Sequence, residues 1–251
     1  MTSKLSLATR GSPPGGAWEP SVQPSMPDLT DLGLLRLLQI ASPALPIGAF
    51  AYSQGLEQAS LLGWVSDEQS ATEWISGVVT EVLPRLDLPV LAELYQAWSV
   101  GDPGRVRALS QFLHACRESA ELTAEDRHLG AALARVLVGL GVSEAEPWLA
   151  DPDATFVTLF SLAACHFRLP LRSAALGFLF TVLENQVAAA TRLIPIGHIA
   201  AQRIIGQVLV RLPAAVTRGL ELPCSAAGFL APGLAVASAL HETTYSRLFR
   251  S

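Results

Sequence analysis

An all-α fold is what this sequence predicts, and three observations predict it. Apolar residues recur at three- and four-residue spacing along most of the 251-residue chain. Prolines and glycines fall mostly at the ends of those periodic stretches. No stretch alternates apolar and polar residues with β-branched enrichment, and no Asn-Gly pair offers a hairpin turn. Together these predict a single compact helical bundle domain of roughly nine or ten helices with short loops.

The elements follow in order. Residues 1–27 carry Gly11, Pro13, Pro14, Gly15, Gly16, Pro20, Pro24 and Pro27, and read as a flexible Pro/Gly-rich tail, with Met26 as an alternative start. After Asp28, leucines 32, 34, 35, 37 and 38 form an apolar helix that ends near Ser42, because Pro43 disfavours the helical conformation of the residue before it. A Pro/Gly loop with Pro46 and Gly48 follows, then a short helix from Gln54 to Leu62 with Gly63 as its stop. Ser66 and Gln69 read as the two ends of a capping box. The helix behind them carries Trp74, Ile75, Val78, Val79 and Val82 and stops at Pro84, and Pro89 starts another that runs to Gly101. Asp102-Pro103 reads as an N-cap followed by proline in the first helical position. Leu129, Leu133, Val136, Leu137 and Leu140 mark a helix before Gly141, and Ser143 and Glu146 read as a second capping box. An almost wholly apolar helix is expected from Thr155 to Leu169, another from Pro170 to about Ala190, one from Pro195 to about Arg211, and a short one at Pro213.

Leu222 to Leu240 is uncharged and long enough for a membrane span. Pro223, Gly228, Pro232 and Gly233 interrupt it, and broken backbone hydrogen bonds are costly in lipid, so no span is expected. The reading is a buried or partner-covered segment with a Pro-Gly turn in its middle. The domain is placed at residues 28–232, with residues 233–251 as a C-terminal partner-binding segment.

Half of the residues are hydrophobic and only 16% are charged, against about a quarter in an average protein, which excludes a chain disordered over most of its length. The net charge is −5 and no run of Lys or Arg occurs, so nucleic acid is not an expected partner. Cys116, Cys165 and Cys224 are widely spaced and odd in number, which suits a reducing cytoplasm. The five histidines, His114, His128, His166, His198 and His241, show no metal-ligand spacing. There is no nucleophile elbow, phosphate-binding loop or dinucleotide fingerprint. No catalytic, cofactor-binding or metal-binding residue is therefore assigned. Glu118, Glu121 and Glu125 share a helix face flanked by Arg117 and Asp126, which reads as a solvated or partner-facing stripe. The C-terminus departs from the usual small, polar tail: Tyr245, Arg247, Leu248, Phe249 and Arg250 are the residue types that anchor interfaces.

Four blocks in order carry a resemblance. Ala41 to Glu57 (ASPALPIGAFAYSQGLE), Arg117 to Leu122 with Glu125, Asp126 and Gly130, then Glu184 to Val187 with Pro195 to Gly197 and Gln202-Arg203, and Gly228 to Ser251 together resemble the urease accessory protein UreF family. The resemblance runs from about Leu29 to Ser251. His198, Ala201, Ala49, Ala51 and Thr244 depart from the family's usual residues. It implies an all-α, cytoplasmic, non-enzymatic homodimer. Such a protein binds UreD (UreH) and recruits the GTPase UreG for nickel insertion into apo-urease, with a proposed modulation of UreG hydrolysis.

The resemblance also implies a partner-binding set: Pro46, Gly48, Phe50, Tyr52, Glu57, Arg117, Glu118, Glu121, Tyr245, Arg247, Leu248, Phe249 and Arg250. The tail is expected to order against the Pro43–Gly48 loop and Tyr52. The Arg247 and Arg250 guanidinium groups would serve the loop's free carbonyls, and Leu248 and Phe249 would be the buried anchor. The Glu118–Glu125 stripe is the weaker candidate for meeting UreG or nickel in transit. The residues alone leave three other classes open: a different all-α adaptor, a helical-bundle enzyme with an unrecognised site around Glu118, Asp126 and His128, and a membrane-associated helix bundle driven by Leu222–Leu240.

Overall fold

The computed structural model describes residues 28–228 and 231–251; the expected tail at 1–27 lies outside the described residues. Among the described residues there are eleven α-helices and no strand. They are α1 (Asp31–Ile40), α2 (Leu56–Leu61), α3 (Glu68–Gly77), α4 (Asp87–Val100), α5 (Pro103–Ala115), α6 (Ala120–Gly139), α7 (Phe156–His166), α8 (Leu171–Leu193), α9 (His198–Leu209), α10 (Leu212–Glu221) and α11 (Pro232–His241).

The core lies around α7, which packs on α4 and α6, and around α8, which packs on α9 and α10. Nearly every side chain of α7 is buried. Phe156, Phe160 and Phe178 form one aromatic cluster, with ring centroids 5.6–5.8 Å apart. Gly130 lets α6 run against the chain just ahead of α7: a Cβ there would lie 2.7 Å from the Thr155 carbonyl carbon. Among the described residues α8 is the single helix long and apolar enough to cross a bilayer, and its length is spent on the core.

Helix starts follow local chemistry. Thr30, Asp102, Ser119 and Thr155 each accept a backbone N–H from the first turn behind them. Asp102-Pro103 caps α5 as expected.

Several boundaries differ from expectation. The capping box of α3 is formed by Asp67 and Ser70, not by Ser66 and Gln69. A carboxylate is the stronger acceptor at the positive end of a helix. Ser143 and Glu146 form no box: Ser143–Trp148 is a 3-10 turn without a side-chain cap. Pro147 has no N–H to return to the Ser143 carbonyl, so an α-helix cannot propagate there. α2 starts at Leu56 rather than Gln54, because Gln54 (φ 53°) and Gly55 (φ 77°) both take the left-handed conformation.

Beyond Gly77 the chain passes through a π turn (Val78–Val82) and a 3-10 turn (Leu83–Arg85) around Pro84. α4 then begins at Asp87, with Pro89 inside its first turn, where the amide would be unpaired in any case. α9 begins at His198 rather than Pro195. Pro232-Gly233 opens α11 instead of making a turn.

Candidate partner-binding site

The site is a corner where residues 242–251 fold back over α2 and the start of α6. Three short stretches distant in sequence meet there: the loop before α2, the first two turns of α6, and the C-terminal segment.

The tail is held mainly through its backbone. Glu57, on α2 and buried, accepts the N–H of Leu248 at 2.7 Å and of Phe249 at 2.8 Å. The Arg250 N–H donates to the Ala51 carbonyl at 2.8 Å, and Ser53 N–H donates to the Ser251 carbonyl at 2.9 Å. The Ser251 hydroxyl donates to Glu125 Oε2 at 2.6 Å. Glu242 caps α6 by accepting the Ala120 N–H at 2.8 Å. Arg247 pairs with Glu121.

His241, at the end of α11, has no exposed surface. Its Nδ1 lies 2.6 Å from Glu121 and its Nε2 3.1 Å from Glu57. The Phe249 ring is buried under the Arg192 guanidinium, 4.5 Å from its centroid. Arg192 also donates to the Phe50 carbonyl at 3.1 Å.

This corrects the expected arrangement in three ways. Within the expected Pro43–Gly48 loop the Leu45 and Gly48 carbonyls accept the Ile47 and Ala51 N–H groups, and just beyond it the Phe50 and Ala51 carbonyls are served by Arg192 and by the Arg250 N–H, not by the Arg247 and Arg250 guanidinium groups. A backbone amide sits closer to its neighbour than a long flexible side chain and loses less entropy on pairing. Phe249 is buried, but Leu248 is half-exposed and Tyr245 fully exposed. Leu248 and Phe249 sit in a bend whose two successive N–H groups both point to Glu57, and it is the Phe249 ring that turns inward, under Arg192. The acidic stripe is also not a solvated face. Glu118 lies ahead of α6 and is exposed, Glu121 is paired, and Glu125 is buried.

Beneath the corner lies a cavity of about 70 Å³ lined by Gln54, Asp87, Arg117, Glu125 and Asp126 among apolar residues. Arg117 sits between Asp87 (2.7 Å) and Asp126 (2.8 Å). Burial works against the Arg117 charge, but Asp126 and Asp87 outweigh it and hold the guanidinium protonated. Burial pushes the Asp87 carboxyl up, and one of its oxygens has no hydrogen-bond partner. Burial pushes Glu125 up to about 7, against the Ser251 hydroxyl and the Gln54 amide that favour its charged form. Arg117 therefore faces inward, as part of the structure that supports the corner.

On the outside two shallow grooves meet at Tyr52, His128 and Arg250. One, of about 400 Å³, also takes in Glu121, Glu242 and Arg247. The other, of about 340 Å³, takes in Gly48, Phe50 and Arg135. Tyr52 is buried, with its hydroxyl 2.9 Å from His128 Nδ1, while Phe50 is exposed at the rim; Pro46 is exposed and lines neither groove.

Of the thirteen expected site residues, the fold gathers Gly48, Phe50, Tyr52, Glu57, Glu121 and the tail at this corner, and Pro46 is exposed outside its grooves. Arg117 lies below it, and Glu118 lines the same cavity. Sequence reasoning missed His241, Glu125, Gln54 and Arg192 as parts of one network. Their partners are more than fifty residues away in the chain, and only the fold joins them. Among the described residues no group of three or more His, Cys, Asp or Glu is arranged to hold a metal ion.

A non-catalytic scaffold fits this corner, where most ionisable groups are spent on one another and aromatic and arginine side chains face outward. Comparison with known proteins gives the family. The UreF family profile matches residues 65–209. A urease accessory protein UreF of Alkalilimnicola ehrlichii is 46% identical over 216 residues, covering 86% of this chain and 95% of that protein. Those of Marinobacter nauticus (48% over 221 residues; 88% and 95%) and Pseudoalteromonas translucida (47% over 225 residues; 88% and 96%) are similar to the same extent. The chain belongs to the UreF family of urease accessory proteins.

Proposed function

We propose that this chain is a scaffold in urease maturation: it binds UreD (UreH) through its C-terminal corner and recruits UreG, so that nickel reaches apo-urease as cargo. The observation that carries this reading is the corner itself. A docked, hydrogen-bonded tail presents Tyr245, Leu248, Arg247 and Arg250 outward, beside the exposed ring of Phe50. Exposed aromatic, aliphatic and arginine side chains on an ordered backbone are what a protein partner buries at the centre of an interface.

The chain acts as a homodimer in this reading. Leu32, Leu34, Leu35 and Leu38 of α1 are exposed beside an apolar groove of about 560 Å³ lined by Leu37, Leu176, Phe180 and Leu209. A second copy covering these leucines would remove an apolar patch that is unusual on a monomer. Cytoplasmic residence is supported by the three cysteines, which are all free.

Co-expression with UreD and UreG, followed by size-exclusion chromatography with light scattering, tests the reading. The expected result is one complex holding at least two copies of this chain. A folded chain that elutes alone at moderate salt would contradict it.

A further inference from the structure

We infer that His241, Glu57 and Glu121 form a proton-dependent latch that holds the C-terminal segment against the domain and lets it go as the pH rises. The inference rests on a count of hydrogens. Both ring nitrogens of His241 face carboxylate oxygens, at 2.6 Å and 3.1 Å. An ionised carboxylate only accepts hydrogen bonds. Two such contacts need two hydrogens, and a neutral imidazole carries one. The site as built therefore holds one proton more than a neutral histidine between two carboxylates.

The surroundings set the sign. Glu57 faces the ring from α2 and Glu121 from α6; Arg247 of the tail reaches it only through Glu121. Glu242, beside the ring in sequence, is turned to the start of α6. Ser119 and Ser238, the buried neighbours, pair with each other at 2.5 Å. With the extra proton the group of four, Glu57, Glu121, His241 and Arg247, is electrically balanced. Without it the group carries a net negative charge, and a lone pair of the buried His241 ring faces a carboxylate.

The strain is relieved by moving Glu57 or Glu121 away. Glu57 is the acceptor for the Leu248 and Phe249 amides, and Glu121 holds Arg247. Loss of one proton thus loosens the segment where Leu248 and Phe249 meet Glu57 or where Arg247 meets Glu121, leaving the Ser251 hydroxyl on Glu125 and the backbone bonds to Ala51 and Ser53. Any effect on a partner rests on the docking surface proposed above; the latch does not, and it is read on the isolated chain.

The test is amide hydrogen exchange of the full chain from pH 6 to pH 9, corrected for intrinsic exchange, with α8 amides as the internal reference. Opening linked to one proton changes by up to about tenfold per pH unit. The discriminating variant is Glu121→Gln. Its carbonyl still meets Arg247, and its NH2 can donate to Nδ1, so that a neutral imidazole donating from Nε2 to Glu57 completes the site. Glu125 contributes equally in both chains.

The expected result is that protection of the Leu248 and Phe249 amides falls with pH. The fall should be at least about tenfold larger in the native chain than in E121Q, with the tail still protected in E121Q at pH 6. A native tail whose protection is flat with pH, or absent throughout, would overturn the inference. So would an E121Q chain with the native slope.

Discussion

Two faces of this molecule are built in opposite ways. The α1 face takes its character from one stretch of sequence: Leu32, Leu34, Leu35 and Leu38 lie within a single helix and point into solvent, because α8 and α10 leave an open apolar groove beside them. The C-terminal corner is assembled from the loop before α2, from α6 and from the tail. Its polar groups are nearly all paired internally. Removing side chains from the first face therefore costs the fold little, because nothing within the chain uses them, and its cost falls on the dimer proposed above. Removing a charge from the second costs the fold first, because a buried partner is stranded.

The comparison breaks most sharply at Arg117. Arg117→Met leaves Asp87 and Asp126 buried with no cation between them, at a cost of about 3–5 kcal/mol. Urea unfolding should show a large fall in midpoint. An unchanged midpoint would mean that the charges beneath the corner carry no weight.

The next effect is a pH dependence. Glu125 titrates at about 7 in the folded chain, above its ordinary value of 4.5. The folded state binds more protons in that interval, so its contribution is full below about 4.5 and is lost as the pH rises through about 7. Glu125→Gln should flatten this part of the stability profile by about 1–3 kcal/mol, measured by denaturation at pH 5 and pH 7.5. The smallest effect on stability falls on the other face. Leu35→Lys should shift the unfolding free energy by less than about 0.5 kcal/mol yet lower the mass seen by light scattering at fixed concentration.

The same contrast explains what the sequence reveals. Periodicity locates the helices of the core, α4, α7 and α8, because burial on most sides demands near-continuous apolar residues. It misplaces starts wherever several local caps compete, as at Ser66 and Asp67, and wherever positive φ delays a helix, as at Gln54. The α1 face is legible as a leucine-rich helix, though its exposure is not. At the corner, residue types gave Tyr245, Arg247 and Phe249 as interface material, and the family's blocks gave Glu57 and Glu121. Nothing in one dimension says that Glu57 holds two tail amides, or that His241 sits between two carboxylates: those facts depend on contacts across more than a hundred residues.

The ordered corner is the docking surface proposed for UreD. The most direct measurement is the affinity of the isolated chain for purified UreD, native against a Tyr245→Ala/Leu248→Ala double variant. Both side chains are exposed and their backbone bonds are kept, so helicity and unfolding midpoint should match the native chain. The account predicts binding weakened at least about tenfold, the loss of one or two interface anchors. Equal affinity in a chain of unchanged fold would contradict it and move the docking surface away from the tail.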